Sequence, residues 1–211
     1  MSVIEAVSSK ELAFNRMVDF WINKIEQQGD GYVGRLGESQ DIQKQRIQDI
    51  VKMRIDPSLF YDTALDFGSG WGRFDKFLSD FCGHVWAVDI LDTLVRRAAQ
   101  QAPCITPYCL GFPIHIPLER PKFDLFWGCL VFQHIVNDKL LEDVLAEIRR
   151  VLKSGCRVMI VDNAKDRAIH VKPRDPKYFA DGLQLKHGWR SDLVTINNRP
   201  QDHWFIDGVV A

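Results

Sequence analysis

The sequence holds no apolar run approaching the roughly 20 residues that a membrane-spanning helix needs, so no membrane partner is expected. An excess of charge of either sign is missing too. The 27 basic and 28 acidic residues leave a net −1, which argues against a broad, nonspecific nucleic-acid surface. Cysteines are few and odd in number: Cys82, Cys104, Cys109, Cys129 and Cys156. None forms a Cys-x-x-Cys pair or falls beside histidines at zinc spacing, so neither a disulfide framework nor a metal site is expected. The first residues, Met1 to Glu5, have neither the basic start nor the apolar stretch of a secretory leader, and a cytoplasmic location is the expectation. Internal repeats and low-complexity tracts are absent as well. What remains is an ordinary globular composition, 46% hydrophobic and 26% charged over 211 residues. Such a chain buries roughly two-thirds of its unfolded surface without covalent staples.

Two helices are expected first. Ser8 and Glu11 fit a capping box, and Phe14, Val18, Trp21, Ile22 and Ile25 recur at helical spacing. Gly29, Gly31, Gly34 and Gly37 then impose a loop. A second helix starting near Ser39 should turn Ile42, Ile47, Ile50 and Val51 inward and stop before Pro57. Residues 1–57 therefore read as an N-terminal helical cap.

From residue 58 the pattern alternates between strand and helix. Strands are expected over 63–67, 84–89, 104–110 (weakened by Pro107), 123–127 and 157–161. Helices are expected over 73–81, 91–101 and 140–152, the last closed by Gly155. This order predicts an α/β fold over residues 58–211: a doubly wound, mostly parallel sheet with helices on both faces. Ligands of such sheets bind at the C-terminal ends of the strands. Two more strand-like runs, 193–196 and 203–210, close the chain. Between them and the fifth strand, residues 165–190 carry seven basic against three acidic side chains, a local excess of four. The stretch 165–200 is expected to act as an acceptor lid that favours an anionic group.

Gly68, Gly70 and Gly72 lie between a strand and a helix, where glycine lets the backbone turn sharply and a ligand approach closely. The dinucleotide fingerprint wants glycine or alanine where this chain has Arg73, and no Gly-Lys-Ser/Thr follows for a phosphate-binding loop. Asp66 at the mouth of the loop would repel a pyrophosphate and suit a cation. S-adenosylmethionine carries an ammonium and a sulfonium and no phosphate. Asp89 ends the second strand, where an acid accepts ribose hydroxyls.

The stretch Ala64-Leu65-Asp66-Phe67-Gly68-Ser69-Gly70-Trp71-Gly72-Arg73 resembles the first motif of the class I S-adenosylmethionine-dependent methyltransferases. Residues 85–90, carrying Asp89, are similar to the second motif. Phe123-Asp124-Leu125 leading to 130–135 resembles the fourth-strand motif of the small-molecule branch, and 147–155 resembles the helix and turn before the fifth strand. The resemblance covers roughly residues 60–162. It implies S-adenosylmethionine as cofactor. Asp66, Phe67, Gly68, Gly70 and Gly72 would form the loop that lines its methionine end. Asp89 would take the ribose, Ile90 would pack on the adenine, and Trp127 would edge the methionine pocket. The family normally places an acid after the third strand. Here that place is Gly111-Phe112, so backbone groups and stacking by Phe112 are expected to serve instead. Arg35, in the N-terminal glycine-rich loop, is expected to pair with the cofactor carboxylate.

Methyl transfer is an in-line displacement in which proximity and orientation supply much of the rate. A general base is needed only for a protonated acceptor. His134, after the fourth strand, and His170, in the basic segment, are the candidates for that role. DNA amino-methylating enzymes use an Asn/Asp-Pro-Pro-aromatic motif where this chain has Trp127-Gly128-Cys129-Leu130, and Pro103-Cys104 precedes the third strand, where a cytosine-C5 nucleophile has no use. A small-molecule acceptor is the leading expectation. RNA or protein methylation through the basic segment is the alternative among enzymes, and a non-catalytic S-adenosylmethionine-binding protein is the alternative outside them. Release of S-adenosylhomocysteine with some acceptor separates the last from the rest.

Overall fold

Seven strands join into one sheet in a computed structural model of the chain, which describes residues 8–28, 40–56, 58–165, 168–196 and 202–211. The strands are β1 (Tyr61–Phe67), β2 (Cys82–Asp89), β3 (Ile105–Cys109), β4 (Phe123–Cys129), β5 (Leu152–Asn163), β6 (Arg190–Val194) and β7 (His203–Val209). Their order is β3-β2-β1-β4-β5-β7-β6. β1 to β5 run parallel, and β7 inserts antiparallel between β5 and β6. The order reverses between β1 and β4, which opens a crevice at their C-terminal ends. The expected mostly parallel, doubly wound sheet is the architecture observed.

The central strands are nearly continuous in apolar residues because both faces are covered. Side chains of a strand alternate between faces. Leu65, Phe67, Val158 and Ile160 enter one core with Phe14 of α1 (Ser9–Gln28), with α5 (Asp138–Val151) and with Phe179 of α6 (Pro176–Gly182). Ala64, Met159 and Val161 enter the other, with Ile47 and Val51 of α2 (Gln40–Lys52), Phe77 of α3 (Asp75–Leu78) and Ala98 of α4 (Asp92–Ala99). Both N-terminal helices thus pack into the cores of the sheet.

Local signals explain most boundaries. Ser8 Oγ accepts from the Glu11 backbone N–H at 3.1 Å and starts α1. Asn137 caps α5 by accepting from Leu140 at 3.0 Å, and Leu140, Leu141, Val144, Leu145, Ile148 and Val151 are all buried. Pro107 is tolerated because β3 is an edge strand.

The structure corrects four details. Gly155 does not close α5. The chain is already extended at Leu152, captured by pairing with Phe123 of β4, and Gly155 (φ +86°) turns within the start of β5. The helix expected over 73–81 shortens to α3, because the glycine loop continues as turns up to Phe74. Ile42 and Ile22 face solvent, at 47% and 41% exposure. In α2 the buried stripe runs Gln43, Ile47, Val51, each four residues apart, and Ile42 lies off it. No described helix is long and apolar enough to cross a membrane.

Candidate active site

The glycine loop is pinned to the end of β2. The N–H groups of Gly68 and Ser69 both donate to the Val88 carbonyl, at 2.7 and 3.1 Å. Gly68, Gly70 and Gly72 all take positive φ (75°, 56° and 87°), a region that glycine enters without strain. At two of them the missing side chain makes room for the protein itself. A Cβ on Gly68 would stand 2.3 Å from Cγ2 of Val131, and one on Gly72 would stand 2.9 Å from Cα of Ala98 in α4.

This turn delivers two carboxyls to the crevice. Asp89 is half-buried; its Oδ2 accepts from the Gly70 N–H at 3.0 Å and its Oδ1 from the Leu91 N–H at 3.2 Å. Each oxygen keeps a second lone pair for a ligand hydroxyl. Burial raises its pKa against the lowering effect of those bonds. Asp66, at the end of β1, is 2% exposed, and its Oδ2 has no hydrogen-bond partner among the described residues. Burial, and then the adjacent Asp75 carboxyl, push its pKa well above the usual carboxylate range.

The crevice is a cavity. Its inner end is lined by Asp66, Phe67, Gly68, Gly70, Asp89 and Ile90. Leu91, Leu94, Leu110 and Ile114 form an apolar slot beside Asp89. Met17 and Trp21 of α1, with Val131, Gln133 and His134 from the turn after β4, form the outer end. Leu130 adopts a left-handed backbone (φ 57°) to make that turn, with its N–H donated to the Val161 carbonyl at 2.7 Å. Strain of this kind gathers at functional sites.

His134 is an anchored wall of the outer end. Its Nδ1 lies 3.3 Å from the His170 carbonyl, and its Nε2 3.1 Å from the Gln133 side-chain nitrogen. A neutral ring with the proton on Nδ1 satisfies both contacts, since a carbonyl only accepts and an amide nitrogen only donates. Burial pushes the His134 pKa down to about 4, so the ring is neutral near pH 7. The Trp21 ring meets its face edge-on at 4.8 Å, and the His170 ring stacks on it at 5.5 Å. Asp162, at the end of β5, holds the turn by accepting from the Gln133 N–H at 3.0 Å.

Seven of the residues expected to form the site border this cavity: Asp66, Phe67, Gly68, Gly70, Asp89, Ile90 and His134. The others are placed elsewhere. Gly72 packs against α4. Trp127 is fully buried one layer behind the cavity, edge-on to Phe74 at 5.3 Å, because β4 points it into the sheet's core. Gly111 is exposed, and Phe112 packs toward Phe14 with ring centroids 6.0 Å apart; Leu110 and Ile114 line the cavity instead. His170 lies behind His134, between it and Phe20, and not on the cavity lining. Arg35 lies outside the described residues. Sequence reasoning missed Met17, Gln133 and Ile114, and took Trp21 for core. The only available signal was the four-residue spacing of Met17 and Trp21.

Part of the basic segment is paired, in some cases with partners that are distant in sequence. Lys172 and Arg174 both pair with Asp138, at 2.7 and 2.9 Å, and Arg174 also donates to the Ile135 carbonyl at 2.6 Å. Lys177 pairs with Asp181 at 2.5 Å, and Arg190 with the buried Asp207 at 3.5 Å. The excess of four counted along the sequence is thus offset in part across the fold.

Comparison with known proteins agrees with this geometry. Residues 65–160 match the methyltransferase domain family. A ubiquinone/menaquinone biosynthesis C-methyltransferase, UbiE, of Ralstonia nicotianae is 30% identical over 108 residues, 48% of this chain and 43% of that protein. Phosphoethanolamine N-methyltransferase 1 of Triticum aestivum is 23% identical over 163 residues, 72% of this chain and 32% of that one. The chain spans less than half the length of these relatives. Among solved structures, phosphoethanolamine N-methyltransferase 1 of Haemonchus contortus, in complex with phosphoethanolamine and S-adenosylhomocysteine, shares the fold with a TM-score of 0.69 at 15% identity. That match covers 100% of this chain and 52% of the other. Residues 65–160 are thus similar to a methyltransferase domain, and the chain shares the fold of solved S-adenosylmethionine-dependent methyltransferases.

Proposed function

We propose that the protein transfers a methyl group from S-adenosylmethionine to a small-molecule acceptor. The observation that carries this reading is the pair of carboxyls on either side of the glycine loop. Asp89 has lone pairs left for ribose hydroxyls, and Asp66 borders the cavity with a carboxyl suited to an ammonium. The slot of Leu91, Leu94, Leu110 and Ile114 fits a purine ring between them and the outer end. The cofactor, when bound, supplies a methyl group already activated on a sulfonium. The chain's part is to hold, orient and shield the two reactants.

His134 acts in this reading as a wall that positions the acceptor. Both of its ring nitrogens are engaged and burial disfavours its charged form, so it does not serve as a general base near neutral pH. Met17, Trp21, Val131 and Ile135 make the outer end apolar and aromatic, and the nearby cations Lys172 and Arg174 are already paired with Asp138. An uncharged acceptor with an apolar or aromatic body suits this end better than the anion expected from the sequence. Its reacting atom would be nucleophilic without enzymatic deprotonation. The relatives divide between C- and N-methyltransferases and support a small acceptor without selecting one.

Calorimetric titration with S-adenosylmethionine, S-adenosylhomocysteine and NAD tests the cofactor assignment. Binding of the first two and not the third is expected, and binding of NAD alone would remove the reading. Formation of S-adenosylhomocysteine across a panel of quinol, phenol and amine acceptors then tests turnover.

A further inference from the structure

Directly behind Asp66 lies a second carboxyl that the cofactor reading does not use. Asp75, at the start of α3, is 0% exposed, and among the described residues neither of its oxygens has a hydrogen-bond donor. Asp66 Oδ2 has none either. Two carboxylates contribute only acceptors, so their contact becomes a hydrogen bond only when a proton lies between them. Two full negative charges buried side by side without donors would be strongly unfavourable. We propose that Asp66 and Asp75 form one acid that holds a single shared proton in the unliganded protein, and that the cofactor's ammonium displaces this proton to solvent. The proposal rests on the cofactor reading above and adds a positioning residue, Asp75, that does not line the cavity.

The surroundings favour a shared proton. Asp89 on β2 adds a like charge near Asp66. The neighbouring thiols of Cys82 and Cys129 are pushed up by burial and stay neutral. Arg73, a cation near the pair among the described residues, lies over the Phe74 ring at 5.3 Å with its guanidinium 3.4 Å from Gln43 Oε1. Burial raises both carboxyls, Asp66 well above the usual range and Asp75 to about 6. The protons belong to the pair and not to either member.

Proton and charge balance as follows. The O–H bond of the shared acid breaks, the proton leaves to buffer, and the pair gains one negative charge. The ammonium donates to Asp66 from the cavity side, and its positive charge offsets the new negative one. Binding therefore favours the deprotonated pair, and affinity rises with pH until the free pair has itself lost the proton. The cofactor's own α-amine works in the opposite direction above about pH 8, because it binds as the cation.

The test is calorimetry with S-adenosylhomocysteine at pH 6.5 in phosphate and in Tris, whose ionisation heats differ widely. Wild type is expected to release close to one proton per ligand bound, and to bind up to about tenfold more tightly for each pH unit between 6 and 7. 5′-Methylthioadenosine, which has the nucleoside without the ammonium, should release none. In Asp75→Asn the amide donates to Asp66, so proton release should fall by half or more and the pH profile should flatten, while binding persists at pH 6. Equal heats in the two buffers for wild type, or an unchanged pH profile in Asp75→Asn, would overturn the proposal and leave the cofactor reading intact. Failure of S-adenosylhomocysteine to bind at all would overturn both. If Asp75→Asn does not fold, the wild-type comparison of the two buffers and the two ligands decides alone.

Discussion

The two ends of the cavity are built by different means. The inner end is local: Asp66, the glycine loop, Asp89 and Leu91 fall within 26 residues of sequence, and backbone N–H groups hold the Asp89 carboxyl. The outer end is assembled from three distant segments, α1, the turn after β4 and the stretch after β5, and is held by ring contacts among Trp21, His134, His170 and Phe20. The inner end is acidic and starved of donors. The outer end is aromatic and neutral. One suits a cationic, hydroxyl-bearing ligand of fixed structure, and the other suits a variable apolar partner. The comparison predicts that damage to the inner end abolishes cofactor binding, whereas damage to the outer end leaves it nearly intact.

The largest effect is expected at Gly68. Alanine there must adopt φ near 75° and place Cβ 2.3 Å from Val131, which together should destabilise the protein by roughly 2–4 kcal/mol in denaturant unfolding. Next is Asp89→Ala, which removes a charged acceptor and should weaken S-adenosylhomocysteine binding by about a hundredfold. An effect below threefold would show that the ribose is held elsewhere.

The two ends should also respond to pH with opposite signs. His134 is depressed to about 4 in the folded protein, below its unfolded value near 6.5. Its contribution is present above pH 6.5 and is lost as pH falls toward 4, because the unfolded chain takes up the proton first. His134→Gln should remove roughly 1–3 kcal/mol of that acid-side loss in urea unfolding between pH 6.5 and 4.5. Asp75 is raised to about 6, so its stability is complete below the unfolded value and is lost as pH rises through 6. Asp75→Asn should therefore gain melting temperature relative to wild type at pH 8 and gain little at pH 4.5. The smallest effect belongs to the basic segment after β5. Lys172→Ala breaks an exposed pair with Asp138 and should cost under about 1 kcal/mol, without changing cofactor affinity.

How much could be read ahead of the structure follows the same division. The placement of the glycine loop and Asp89 beside the cavity was legible because it depends on backbone turns and on neighbours close in sequence. The amphipathic stripe of α5 was legible for the same reason, since its period lies within one helix. Trp127 was misplaced because a residue in a strand buried on both faces gives no sign of which face it takes. The positive stretch after β5 was overcounted because Asp138 and Asp207, which neutralise part of it, come from α5 and β7.

Local chemistry in the sequence alone thus determined the fold class, the class of cofactor and two acids that border the cavity, since strand and helix periods and short turns are short-range properties. Tertiary structure alone decided that Asp75 backs Asp66, that Met17 and Trp21 close the outer end, and that both His134 nitrogens are occupied. Each of these depends on side chains brought together by packing, across short separations for Asp66 and Asp75 and long ones for α1 and His170. Such contacts exist only once the hydrophobic faces of the sheet and its helices have been buried together.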